Sequence, residues 1–192
     1  RYGGRLELLR HLDLQFYQGR GDLDIVTQAE TRDHWPEIRE DLDRLGKALT
    51  IAEAVDQVVQ DKQPNQEAYR MLCGALETLQ RSDPVLIVPA FMLKLLAHEG
   101  VAPAMNECVI GGEVTDLEFF DPRIGGVTCA AHQRGRRISS SALELMRATL
   151  GGALATVLEV QQAPHTDEVS ALTHRLWEFH IERRLRSTEL LT

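Results

Sequence analysis

NECVIGGEVTDLEFFDPRIGGVTCAAHQRGRR, residues 106–137, is the one long break between two blocks of helical periodicity. Cys108 stands near its start and Cys129 near its end, with His132 three positions after the second cysteine and the glycine pairs Gly111-Gly112 and Gly125-Gly126 close to both. Two short knuckles, each offering a ligand pair at x-x spacing and joined by a hairpin, are the outline of a zinc ribbon. The outline is incomplete. The position three after Cys108 is Gly111, which has no side chain to give, so Cys108, Cys129 and His132 remain where a structural zinc takes four ligands.

A chain of 192 residues with 43% hydrophobic and 26% charged content suffices for one ordinary core, with a small satellite module at most. No apolar run approaches the ~18 residues of a membrane span, and RYGGRLELLR lacks a signal-peptide core, so an intracellular protein is expected. Three cysteines do not make a disulfide framework. The net charge of -8 repels phosphate at long range, which leaves nucleic acid to local clusters. Lys47, Lys62 and Lys94 are the only lysines, so the positive charge is nearly all arginine.

Before the break, Leu6 to Glu30 alternates as half-buried strands do. Leu12, Leu14 and Phe16 share a face, and Gly19-Arg20-Gly21-Asp22 forms a turn before Leu23 and Ile25. Two strands cannot enclose a core, so residues 1–32 are expected to close a longer β-domain. From Trp35-Pro36 the period becomes helical, with Leu42, Leu45, Leu49, Ala52, Val55 and Val58 on one stripe. Pro64 suits the first position of the next helix, whose stripe is Tyr69, Leu72, Cys73, Leu76 and Leu79, with Cys73 a core residue. Asp83-Pro84 reads as a cap with proline at the first position of an almost wholly apolar helix that ends at Gly100. That helix should be the most buried one.

After the break, Ser141 and Glu144 have capping-box spacing and open a short helix closed by Gly151-Gly152. Thr166 to Leu191 carries Val169, Leu172, Leu176, Phe179 and Leu185 at helical spacing, with Arg175, Arg183, Arg184 and Arg186 outside the stripe. Dinucleotide, phosphate-loop, nucleophile-elbow and HExxH signatures are absent, and His174 and His180, six apart, do not share a helix face. A non-enzyme is expected. His132, Arg134, Arg136 and Arg137 with Gly135 form a flexible positive loop, and Arg183 and Arg184 are charges at a helix end or a second contact surface.

RYGGRLELLRHLDLQFYQGRGDLDIVTQAE, FMLKLLAHEGVAP with the cysteine knuckle after it, GGVTC, and WEFHIERRLRST together resemble the RecO family of bacterial DNA repair proteins, in order and over essentially the whole chain. The resemblance implies a mainly α fold: residues 1–32 as the last strands of an OB-fold β-barrel, and 33–192 as a helical domain with a zinc-ribbon-like insertion at about 106–137. It implies a recombination mediator that binds single- and double-stranded DNA and anneals complementary strands. Such a mediator acts with RecR and recognises single-strand binding protein, so that RecA is loaded. The setting is the cytoplasm, at the nucleoid. In the family's four-cysteine form Cys108 and Cys129 match the first member of each knuckle, Gly111 replaces one ligand and His132 another. Zinc is then the metal for Cys108, Cys129 and His132, with a carboxylate or water completing the set, while Val114, Phe119, Phe120 and Val127 pack the loop on the helices with metal or without.

For DNA, OB-type barrels combine a positive groove with stacking aromatics. Phe16, Tyr17 and Arg20 are the barrel candidates, with Phe16 read as core, and Arg134, Arg136, Arg137, Arg183 and Arg184 are the candidates elsewhere. The competing reading is a protein-interaction scaffold without its own DNA contact.

Overall fold

The computed structural model describes residues 6–19, 21, 23–59 and 63–189, with side chains up to residue 181. Arg20 and the side chains of Arg183 and Arg184 therefore lie outside the described residues. The described residues are mainly helical with two small antiparallel sheets. Strands β1 (His11–Gln18) and β2 (Asp24–Asp33) pair as a hairpin. Helices α1 (Pro36–Glu40), α2 (Leu42–Val58), α3 (Gln66–Arg81) and α4 (Ile87–His98) follow. The break becomes β3 (Leu117–Asp121), β4 (Gly126–Cys129) and β5 (Arg136–Arg137), ordered β4-β3-β5. Then come α5 (Ser140–Leu150), α6 (Leu154–Leu158) and α7 (Pro164–Glu189).

The apolar helix is central, as its composition requires. α4 packs against α2, α3, α5, α6 and α7, and Leu93, Leu95 and Leu96 are wholly buried. Pro89 sits buried in its first turn, where a missing N–H disturbs least. Gly100, at φ 78, closes the helix as a left-handed residue. The insertion joins this core: Phe120 and Val127 belong to the same buried cluster as Leu93 and Met146. Among the described residues no helix is long and apolar enough to cross a membrane.

Local expectations shift where a tertiary partner intervenes. Asp83 does not cap α4; its carboxylate takes Lys47 Nζ at 2.6 Å, and Leu86 holds the cap position. Pro64 precedes α3, whose N-cap is Asn65, accepting from the Ala68 amide. The N-cap of α5 is Ser139 rather than Ser141, because the Ser139 backbone N–H and hydroxyl both donate to Glu168 on α7. Phe16 is exposed (57%) rather than core, since the hairpin has no second layer over that face among the described residues. Val114, also exposed, takes no part in packing the insertion, whereas Phe119, Phe120 and Val127 do. Arg136 and Arg137 form a strand, not a flexible loop.

The hairpin docks at one end. His11 stacks on Trp35 (ring centroids 6.3 Å, planes 3° apart) and its Nε2 meets Tyr69 Oη at 2.6 Å, so Tyr69 faces the hairpin instead of the apolar stripe.

Candidate metal centre

Two turns bring the insertion's polar groups together. At the first, Cys108 N–H donates to Glu113 O (2.7 Å) and Gly112 N–H to Cys108 O (2.8 Å), folding residues 108–113 into a tight loop with Gly112 at φ 78. At the second, a single 3-10 turn, Ala130–His132, follows β4 and returns His132 toward Cys129. Val109 N–H donates to Val127 O (3.0 Å), which clamps the first turn to β4.

The four side chains that converge are Cys108, Glu113, Cys129 and His132, with their ligand atoms all within 4.8 Å of one another. His132 Nδ1 lies 3.6 Å from Cys108 Sγ, 3.3 Å from Cys129 Sγ and 3.4 Å from Glu113 Oε2. Glu113 Oε2 lies 3.5 Å from Cys129 Sγ. Around a tetrahedral ion with bonds of ~2.3 Å to sulfur and ~2.0 Å to nitrogen or oxygen, neighbouring ligand atoms stand roughly 3.3–3.8 Å apart. All four of these separations fall in that band. The nitrogen-to-oxygen distance is the discriminating one, being too long for a good hydrogen bond and right for two ligands of one ion. The set therefore fits a tetrahedral zinc-type ion.

Gly111 explains why the carboxylate that completes the set is that of Glu113. A Cβ at Gly111 would stand 2.4 Å from both Glu113 carboxylate oxygens and 2.4 Å from His132 Cε1, so the absent side chain is what lets Glu113 reach in. Cys108, Cys129 and His132 were legible as ligands from x-x spacing. Glu113 was not, because it lies outside that spacing, although its place just beyond the Gly111-Gly112 turn was the available signal.

The electrostatics suit a cation. Burial pushes the Cys108 thiol up, but the backbone N–H groups of Cys129, Gly111 and Ile110, with His132, outweigh it and bring it down to about 7. Burial raises the Cys129 thiol, against the amides of His132 and Ala131, and Cys108 and Glu113 add to the rise. The Glu113 carboxyl is held low, first by its own backbone N–H. One thiol is thus ready to ionise while its neighbour resists, the state of crowded anionic ligands that a divalent cation would relieve.

The arginines after the second turn divide. Arg137 lies over the Phe119 ring (5.5 Å to the centroid) with Nη2 3.4 Å from Glu118, while Arg136, its neighbour on β5, points to the opposite side, toward α7. Arg134 is exposed; its backbone N–H donates to Thr128 Oγ1 (3.2 Å). Gly135, at φ 79, makes the strand entry possible, since a Cβ there would come within 2.1 Å of Phe120 O.

Comparison with known proteins agrees with this architecture. The family model described as "Recombination protein O C terminal" matches residues 39–189. Proteins named DNA repair protein RecO are similar throughout: that of Streptomyces griseus is 33% identical, over 97% of this chain and 79% of its own. The Thermobifida fusca protein is 31% identical over 100% and 80%, and the Desulforamulus reducens protein 30% identical over 93% and 72%. The insertion with its clustered ligands and the apolar α4 lie inside the matched span, and the chain belongs to the RecO family of DNA repair proteins.

Proposed function

We propose that this chain is a recombination mediator and not an enzyme: it binds single- and double-stranded DNA, anneals complementary strands and, with RecR, helps load RecA onto strands coated with single-strand binding protein. The observation that carries this reading is the family match over residues 39–189 together with the repair proteins similar over nearly the whole chain. Residues 1–32 would be the closing strands of an OB-fold barrel, and residues 33–192 a helical domain whose insertion at about 106–137 is a zinc ribbon. The protein works in the cytoplasm, at the nucleoid. Arg20, Arg134, Arg136, Arg137, Arg183 and Arg184 supply its phosphate contacts.

Zinc would be held by Cys108, Glu113, Cys129 and His132. Its chemistry there is structural, a cross-link between two turns. The protein's own part is to present the ligands: the Cys108 amide and the Gly112 amide fix the first turn, and the missing side chain at Gly111 admits Glu113.

For the acidic tail of single-strand binding protein, a candidate surface is an apolar cleft of about 240 Å3 between α3, α4 and α6, lined by Met71, Ala75, Ile87, Phe91, Leu154 and the amine-bearing Lys94. Its lining offers an acidic peptide apolar contact and, at Lys94, one cation.

The test is annealing of complementary oligonucleotides, bare and coated with single-strand binding protein, with and without RecR. Acceleration that falls steeply with salt is expected. No acceleration at low salt, with retained binding to RecR, would instead establish the scaffold reading, which the net charge of -8 favours.

A further inference from the structure

Arg136 faces α7 across a cleft of about 360 Å3, within the ~300–1,000 Å3 range of small-ligand sites. Its walls come from three places far apart in sequence: the turn Pro122–Ile124 after β3, the strand β5, and the exposed side of α7. Arg123, Arg136 and Arg175 line it, and Phe179 supplies its aromatic surface. Asp121 lies buried at its base and binds Arg123 through both oxygens: Nε donates to Oδ1 at 3.1 Å and Nη2 to Oδ2 at 3.0 Å. That fork fixes the Arg123 guanidinium while leaving the residue exposed, and the charge of Arg134 also acts on Asp121. Among the described residues neither Arg136 nor Arg175 has an acidic partner within 4.0 Å. One buried carboxylate therefore stands against four arginines, a local surplus of positive charge on an acidic protein.

We propose that this cleft, formed by Arg123, Arg136, Arg175 and Phe179 where the insertion meets α7, binds single-stranded nucleic acid, with the arginines on successive phosphates and a base against the Phe179 ring. The proposal rests on the DNA-binding reading above and assigns it a place. The chemistry is that of strand-binding grooves, which pair backbone cations with aromatic platforms and bind more weakly as salt rises. Planar guanidinium groups suit phosphate oxygens bidentately. Arg123 is preoriented by Asp121, so less of its freedom is lost on binding. Arg137 belongs to another surface, engaged by Glu118 and Phe119.

The experiment is equilibrium binding of a fluorescent oligo-dT and of a matched duplex to the full chain across a salt series. Four forms are compared: wild type, the Arg136→Gln/Arg175→Gln double variant, Phe179→Leu, and Arg70→Gln. The double variant should flatten the dependence of log K on log salt by about 1.4, roughly 0.7 for each phosphate that is no longer neutralised. Arg70→Gln, which removes an exposed arginine of α3 outside the cleft lining, should leave that slope unchanged. Phe179→Leu, which keeps the cleft apolar, should weaken oligo-dT about fivefold or more, as loss of one stacked base does, and leave duplex binding as it was. Wild-type binding with an unaltered slope in the double variant overturns the cleft while the DNA-binding reading stands. Wild type that binds neither probe at low salt overturns both. Phe179→Leu without effect on oligo-dT overturns the single-strand assignment.

Discussion

Gly111 decides the chemistry of the insertion by what it lacks. With the x-x position vacated, the carboxylate of Glu113 occupies the space within 2.4 Å of a notional Gly111 Cβ. Glu113→Gln should weaken zinc binding by more than the ~10–100-fold that losing an outer partner of a ligand costs, measured by competition with a chelating dye. Gly111→Cys combined with Glu113→Ala should recover binding, because Gly111 lies outside the left-handed region and, with the carboxylate gone, the half-exposed His132 ring, also 2.4 Å from that Cβ, is the one near neighbour that must turn aside. Failure of the double variant to exceed Glu113→Ala alone would mean that the two positions do not compete for one site. Asp121 is the second residue with a legible consequence. The Arg123 guanidinium holds its carboxyl below the ordinary 3.8, and burial opposes this without cancelling it. A depressed carboxyl contributes stability above the ordinary value and loses it as pH falls through the depressed one. Denaturation midpoints should therefore fall in wild type below about pH 4, and Asp121→Asn should start lower and change less over that window.

At the scale of elements, periodicity was enough where burial alone chooses the structure. α2, α3, α4 and α7 arise from stripes or an all-apolar run, and β1 and β2 from alternation, so each could be read without knowing its neighbours. The ends could not. Ser139, Ser140 and Ser141 are locally equivalent as caps, and the choice falls on Ser139 because Glu168, 29 residues later, takes both its N–H and its hydroxyl. Ser139→Ala should accordingly cost about 0.5–2 kcal/mol, the range for a lost N-cap, whereas Ser141→Ala should stay within about 0.5 kcal/mol of wild type in chemical denaturation. Asp83 went the same way, drawn from its cap position to Lys47. The short helix α6 has only five residues, too few for a period to register, and the exposure of Phe16 depends on what covers the hairpin, which no alternation reports.

For the whole molecule the open question is whether the insertion is a separate small module or part of one core. Ligand spacing made three of its four metal-binding candidates legible, yet nothing local could place Arg123, Arg136 and Arg175 together, since their meeting depends on how the turn after β3 lies against α7. The packing favours one core. Phe120 and Val127 are only 1% and 0% exposed in the same cluster as α4, and Arg147 of α5 donates to Met105 O at 2.8 Å just before the first ligand. A small zinc module that stands alone unfolds without its metal. This insertion has apolar contacts that remain when the ion leaves, so metal should add to stability without being required for the fold. With free zinc at about 100 times its dissociation constant, linkage adds ~2.7 kcal/mol, and a chain of this size shifts by about 2–4 °C per kcal/mol. Chelation should therefore lower the melting temperature by roughly 5–11 °C in a single transition, with the far-ultraviolet helical signal at room temperature unchanged. The same treatment of Cys129→Ser should produce no shift. A second, early transition on chelation, or loss of helical signal before heating, would show instead that the insertion folds as its own metal-dependent unit and that the cleft between it and α7 exists only in the metal-loaded protein.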